Sequence, residues 1–126
     1  MSTYLAIALG GSLGAVCRYW VSTSTYAWLG TGFPWGTLIV NVSGSFLIGL
    51  LTVLLSEKLD LPNEIRMGLI VGFLGAYTTF STFALDVLNT ASNEAMLRAG
   101  GYIALSVVGS LVGVWIGFAG ARYLLR

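Results

Sequence analysis

The sequence predicts an all-α membrane protein of four transmembrane helices, the third broken near midspan. Three observations carry that prediction. Hydrophobic residues make up 56% of the 126 residues and charged residues 9%, whereas ordinary soluble domains are roughly 25% charged. At about 20 apolar residues per span, the four long apolar runs fill the chain and leave only short connections. In the third run, Gly72-Phe73-Leu74-Gly75-Ala76-Tyr77 leads into Thr78-Thr79-Phe80-Ser81-Thr82-Phe83, where glycines and clustered hydroxyl residues, three of them β-branched threonines, weaken a continuous helix.

The elements follow in order as a single domain over 1–126, with spans at about 3–29, 35–56, 64–88 and 99–125. The first is rich in glycine (Gly10, Gly11, Gly14) and holds Arg18. Gly30-Thr31-Gly32-Phe33-Pro34 closes it, and Pro34 suits the start of the second helix because a first turn tolerates proline. Glu57-Lys58-Leu59-Asp60-Leu61-Pro62 reads as a loop. Asn63 is the expected N-cap of the third span, with Glu64 favourable near the positive helix end. Asn89 to Arg98 forms a second polar connection. Tyr26, Trp28 and Trp35 near the first turn and Tyr123 near the far end suit an interfacial aromatic belt.

Several functions are excluded by what the chain lacks. The net charge of +1 gives no basic footprint for nucleic acid. There is no histidine, hence no imidazole relay or ligand. The single cysteine, Cys17, allows no disulfide within one chain and reads as a small buried hydrophobe. No Lys or Arg precedes the first apolar run, which makes it a poor secretory signal. Four spans place both termini on one side, with Lys58, Arg66, Arg122 and Arg126, against Arg98 and, near the far end of its helix, Arg18. This slight excess puts the termini in the cytoplasm only weakly. So weak a bias permits insertion in both orientations and an antiparallel homodimer.

Polar groups at membrane depth are costly unless they face protein or water. On the fourth span Tyr102, Ser106 and Ser110 recur every four residues and share a stripe, while Gly109, Gly113 and Gly117 form a second stripe for close helix approach. On the second span Thr37, Asn41 and Ser45 align in the same way. The amide of Asn41 serves equally well as a tie between helices or as a contact for a solute. A break in the third span would free backbone groups, which is tolerated only where they are buried or line a cavity. Freed carbonyls suit cations; amides and hydroxyls suit anions. Phe80 and Phe83, three apart, can share a face and present the positive ring edge to a small anion. Arg18 either snorkels or lines an aqueous vestibule. Asp86, near a span end, is expected to snorkel or to pair with an arginine.

Taken together, Gly10-Gly11-Ser12-Leu13-Gly14-Ala15-Val16-Cys17-Arg18-Tyr19, Gly36-Thr37-Leu38-Ile39-Val40-Asn41-Val42-Ser43-Gly44-Ser45-Phe46 and the third-span run from Gly72 to Phe83 resemble the bacterial fluoride channel family, Fluc or CrcB. The resemblance covers essentially the whole chain. It implies a passive fluoride channel in the inner (plasma) membrane that limits fluoride toxicity. It further implies a dual-topology antiparallel homodimer in the lipid bilayer, with two pores and a structural sodium ion. By match to the motifs, the backbone carbonyls of Gly75 and Thr78 would hold the sodium. Phe80 and Phe83 would face fluoride, and Asn41 would donate a hydrogen bond to it. Tyr102, Ser106 and Ser110 resemble the hydroxyl track, which Thr37, Ser81 and Thr82 would join, and Arg18 would sit in the vestibule.

Two rival readings lack residues to carry them. A proton-coupled exporter of cationic compounds needs a carboxylate within the first span, and Thr3 to Leu29 contains neither Asp nor Glu. An enzyme needs a nucleophile–base pair or a metal-ligand cluster, and none can be assembled. A pure assembly protein explains the glycine stripes but not the cluster of phenylalanines and hydroxyls.

Overall fold

The computed structural model describes residues 2–92 and 95–126, and within them the regular structure is entirely helical. Helix α1 (Thr3–Leu29) opens with the Ser2 hydroxyl accepting from the Leu5 N–H at 3.1 Å, which satisfies one of the free amides of the first turn. It ends at Gly30, whose φ of +81° turns the chain and whose N–H donates to the Tyr26 carbonyl at 2.9 Å. Helix α2 (Trp35–Val53) follows Pro34 and runs into a π-helical segment, Leu54–Lys58. After residues 59–62 come α3 (Asn63–Met67), a π-helical segment Gly68–Leu74, and the short α4 (Gly75–Tyr77). Thr78 is extended, with φ −81° and ψ 158°. Helix α5 (Phe80–Ser92) and helix α6 (Met96–Leu124) complete the chain.

Among the described residues these elements form four helical stretches long and apolar enough to cross a membrane: Thr3–Leu29, Trp35–Lys58, Asn63–Ser92 and Met96–Leu124. Three local expectations are corrected. Asn63 is not the N-cap: Pro62 holds that place, no side chain caps the turn, and the Pro62 carbonyl accepts from the Ile65 and Arg66 amides instead. The second span does not stop before Glu57, because the wider π turn carries the helix on to Lys58, and the Leu59 N–H reaches back to the Leu54 carbonyl at 2.8 Å. The polar stretch from Asn89 to Arg98 is helical through Ser92 and again from Met96; Asn93 and Glu94 lie outside the described residues.

The four stretches pack as two close pairs, α1 against the third stretch and α2 against α6, with α1 also touching α2 and α5 leaning on α6. Glycine sets both close contacts. A Cβ on Gly10 would lie 2.0 Å from the Gly68 carbonyl oxygen, and one on Gly14 would lie 2.1 Å from that of Phe73. Across the other pair, Gly49 meets the Val114 carbonyl and Gly117 that of Phe46 at equally short range. Backbones this close gain dispersion contacts where lipid offers no hydrophobic drive. On α6 the buried residues are Ala99, Tyr102, Ser106, Gly113, Gly117 and Ala121, while Leu105, Val108, Leu111 and Trp115 are exposed. Small and polar residues inside with large apolar ones outside invert the soluble pattern, as a hydrocarbon solvent requires. The chain is a multi-pass membrane protein.

Candidate functional site

Where α4 gives way to α5, the side chain of Asn41 takes over the backbone bonding. Its amide nitrogen donates to the Thr79 carbonyl at 3.0 Å, and its oxygen accepts the Thr79 N–H at 2.8 Å. The two bonds fix the orientation of the amide, since only the oxygen can accept. One of the two amide protons remains available. Thr79 is buried and caps α5: its hydroxyl oxygen accepts the Thr82 N–H at 3.2 Å and lies 3.1 Å from the Thr82 hydroxyl and 3.4 Å from that of Ser81.

These two substitutions have a consequence for the carbonyls. In an uninterrupted helix the Thr79 amide would donate to Gly75, and the Thr82 amide to Thr78. Both amides are turned to side chains instead, so the Gly75 and Thr78 carbonyls lose their helical donors. Thr78 itself stays tied backward, with its N–H and its hydroxyl both donating to the Leu74 carbonyl at 3.0 Å. A second tie joins α2 to α4: the hydroxyls of Ser43 and Tyr77 are 2.9 Å apart.

Two open clefts flank the Asn41–Thr79 pair, and Thr79 belongs to the walls of both. One, of about 200 Å³, is lined by Arg18, Ser22, Thr37, Thr79 and Thr82. The other, of about 310 Å³, is lined by Asn41, Ser45, Gly75, Thr78, Phe80 and Ser110. Arg18 is the charged residue of these walls, so the arrangement favours anions in the first cleft.

The aromatic residues run on from there. The Phe80 and Phe83 ring centroids are 5.5 Å apart, tilted at 56°. Phe83 then meets Tyr102 at 5.2 Å, and Tyr102 meets Phe33 edge-on at 5.5 Å. Phe83 and Tyr102 are buried, but Phe80 is 79% exposed in the single chain. The Tyr102 hydroxyl donates to Asp86 at 3.1 Å. Of the two roles expected for Asp86, snorkelling or pairing with an arginine, the arginine pair is not formed among the described residues: the Tyr102 hydroxyl holds the carboxylate, and the one ion pair there is Arg122–Glu57. Ser106, one turn beyond Tyr102, is buried, and its hydroxyl has no hydrogen-bond partner among the described residues.

The structure therefore brings Asn41, Thr37, Ser81, Thr82, Phe80, Phe83, Ser110, Gly75, Thr78 and Arg18 around one interruption, with Tyr102 against Phe83 and Ser106 one turn further along α6. Sequence reasoning missed Thr79, which holds the group together. A threonine three residues before Thr82, just after a helix-weakening run, is the capping signal that marks it. It also missed Ser43 and Tyr77, whose meeting across 34 positions leaves no local signature.

The family described as CrcB-like protein, Camphor Resistance (CrcB), matches residues 5–118. A protein of Methylococcus capsulatus named fluoride-specific ion channel FluC is 52% identical over 119 residues, 94% of this chain. The chain spans about half of that relative's length, 52%. Relatives with the same name in Hydrogenovibrio crunogenus and Geobacter sulfurreducens are 46% and 44% identical, covering 90% and 98% of this chain and 86% and 100% of their own lengths. With that match and these identities added to the four-helix architecture, the chain belongs to the CrcB family of multi-pass membrane proteins.

Proposed function

We propose that the chain forms a passive, fluoride-selective channel of the inner membrane that lets fluoride leave the cell. The carrying observation is the interruption held by Asn41 and Thr79, with Phe80, Phe83 and a set of hydroxyls gathered at it. The relatives' printed name supplies the ion. Fluoride is small and strongly hydrated, so a path must replace water's hydrogen bonds without holding the ion too firmly. Neutral donors and ring edges, spread over several stations, meet that demand. Arg18 gathers anions at one cleft. The free proton of the Asn41 amide, the Ser81 and Thr82 hydroxyls and the unpartnered Ser106 hydroxyl offer donors, and Thr37, Tyr102 and Ser110 extend the track. The work is permeation and not catalysis.

The channel in this reading is an antiparallel, dual-topology homodimer with two pores. The exposure of Phe80 supports it: a ring at the centre of the cluster, bare in one chain, finds its cover in a second copy. A structural sodium ion fits the same reading. Gly75 and Thr78, whose carbonyls lack their helical donors, would hold it, and its charge would offset the repulsion between two sets of carbonyl dipoles brought together at the dimer axis.

The test is efflux from liposomes containing the purified protein, followed with fluoride and chloride electrodes and no proton or sodium gradient. Rapid loss of fluoride alone is expected. Verified, folded protein that releases no fluoride would overturn the proposal. Phe80→Ile and Phe83→Ile are each expected to cut fluoride flux at least about tenfold, equivalent to about 1.4 kcal/mol, with the dimer intact by size exclusion. Unchanged flux in both variants would remove the ring edges from the mechanism.

A further inference from the structure

At the end of the molecule away from Arg98, the last turn of α6 meets the π-helical end of the second span in an open cleft of about 400 Å³, lined by Glu57, Lys58, Arg122, Leu125 and Arg126. Three side-chain cations face one carboxylate. Arg122 is held in place: its Nε and Nη2 donate to the same Glu57 oxygen at 3.1 and 3.0 Å, and its guanidinium lies 5.0 Å from the Phe118 ring centroid. A guanidinium has five N–H donors, so three remain after those bonds. Lys58 and Arg126 make no side-chain hydrogen bond or ion pair among the described residues. Asp60, in the following link, is not in the wall. Leu125 gives the wall an apolar side chain at the level where the spans end. A fixed guanidinium, two free cations and an apolar leucine in the same wall match a phosphodiester attached to acyl chains.

We propose that this cleft seats the phosphate of an anionic membrane lipid headgroup. The surplus of cations supplies charge complementarity that a zwitterionic headgroup cannot fully use. Leu125 in the wall meets the first part of the lipid tails, which a soluble anion does not possess. Glu57 has two roles here, aiming Arg122 and at the same time limiting the attraction.

Native mass spectrometry of the full chain in detergent, titrated with phosphatidylglycerol or phosphatidylcholine, tests the proposal. Phosphatidylglycerol is expected to bind preferentially. Lys58→Gln combined with Arg126→Gln is expected to weaken it by about 25- to 30-fold, from about fivefold per cation near a membrane surface. Glu57→Gln is expected to tighten it about two- to fivefold by removing the competing charge, a gain that misfolding cannot mimic. Equal binding of both lipids, no loss in the double variant, or no gain in Glu57→Gln would each overturn the proposal. Displacement of phosphatidylglycerol by millimolar inorganic phosphate would overturn it as well, because the cleft would then be a site for soluble anions.

Discussion

Asn41 is where the fold and the proposed fluoride path meet in one side chain. Sequence reasoning left two roles open for it, a tie between helices or a contact for a solute; its two hydrogen bonds to Thr79 establish the first and leave one donor for the second. Asn41→Ala strands the Thr79 N–H and C=O, at a cost of about 1–3 kcal/mol for each buried group left unpaired, so thermal unfolding in detergent is expected to occur at clearly lower temperature. Asn41→Asp keeps an acceptor for the Thr79 amide but loses the donor and places negative charge beside the proposed path. Fluoride flux is expected to fall far more than stability does, and flux equal to the parent's would rule out an anion route past this residue. Thr79 separates its functions in the same way: Thr79→Ser keeps the cap on α5, whereas Thr79→Val removes it for about 1 kcal/mol. Equal thermal stability of the two would show that the cap contributes nothing.

Among the helices, position decides what a glycine does. Alanine is favoured over glycine in a helix by about 1 kcal/mol, so Gly→Ala ought to stabilise wherever there is room. At Gly120 nothing lies within 4 Å of the added methyl, and Gly120→Ala is expected to be neutral or slightly stabilising. At Gly14 the methyl would strike the backbone oxygen of Phe73 at 2.1 Å, and neither helix backbone can yield without separating. Gly14→Ala is therefore expected to lower the unfolding temperature markedly and, by shifting the third stretch, to reduce flux. Measuring both variants side by side checks the argument, and similar unfolding temperatures would defeat it. The two π-helical segments have no counterpart in the sequence patterns; hydrophobic periodicity does not distinguish a π turn from an α turn over five to seven residues.

For the whole molecule the open matter is orientation. The excess of Lys and Arg on the side of the termini is slight, and one of those residues, Arg122, is partly neutralised by Glu57 at 3.0 Å. Both orientations are therefore expected in a cell membrane. A single cysteine at Asp60, in a Cys17→Ser background, should be labelled by an impermeant thiol reagent to about half from outside intact cells, since a weak bias favours neither orientation. Labelling that is complete or absent from outside would show one fixed orientation and exclude an antiparallel dimer.

The sequence by itself determined the class, the number of spans and most of the residues at the site. Charge poverty, span length and polar residues at depth are properties of composition and spacing, and the cost of leaving water-loving groups in hydrocarbon lets them be read without coordinates. Phe80 and Phe83, three apart, were legible as neighbours for the same local reason. The identity of the tie was not. That Asn41 would reach Thr79, that Ser43 would meet Tyr77, and that Asp86 would be taken by Tyr102 and not by an arginine depend on how deeply α2, the third stretch and α6 settle against one another. The glycine contacts set that depth, and a side-chain bond formed across such an interface leaves no periodic trace in the chain.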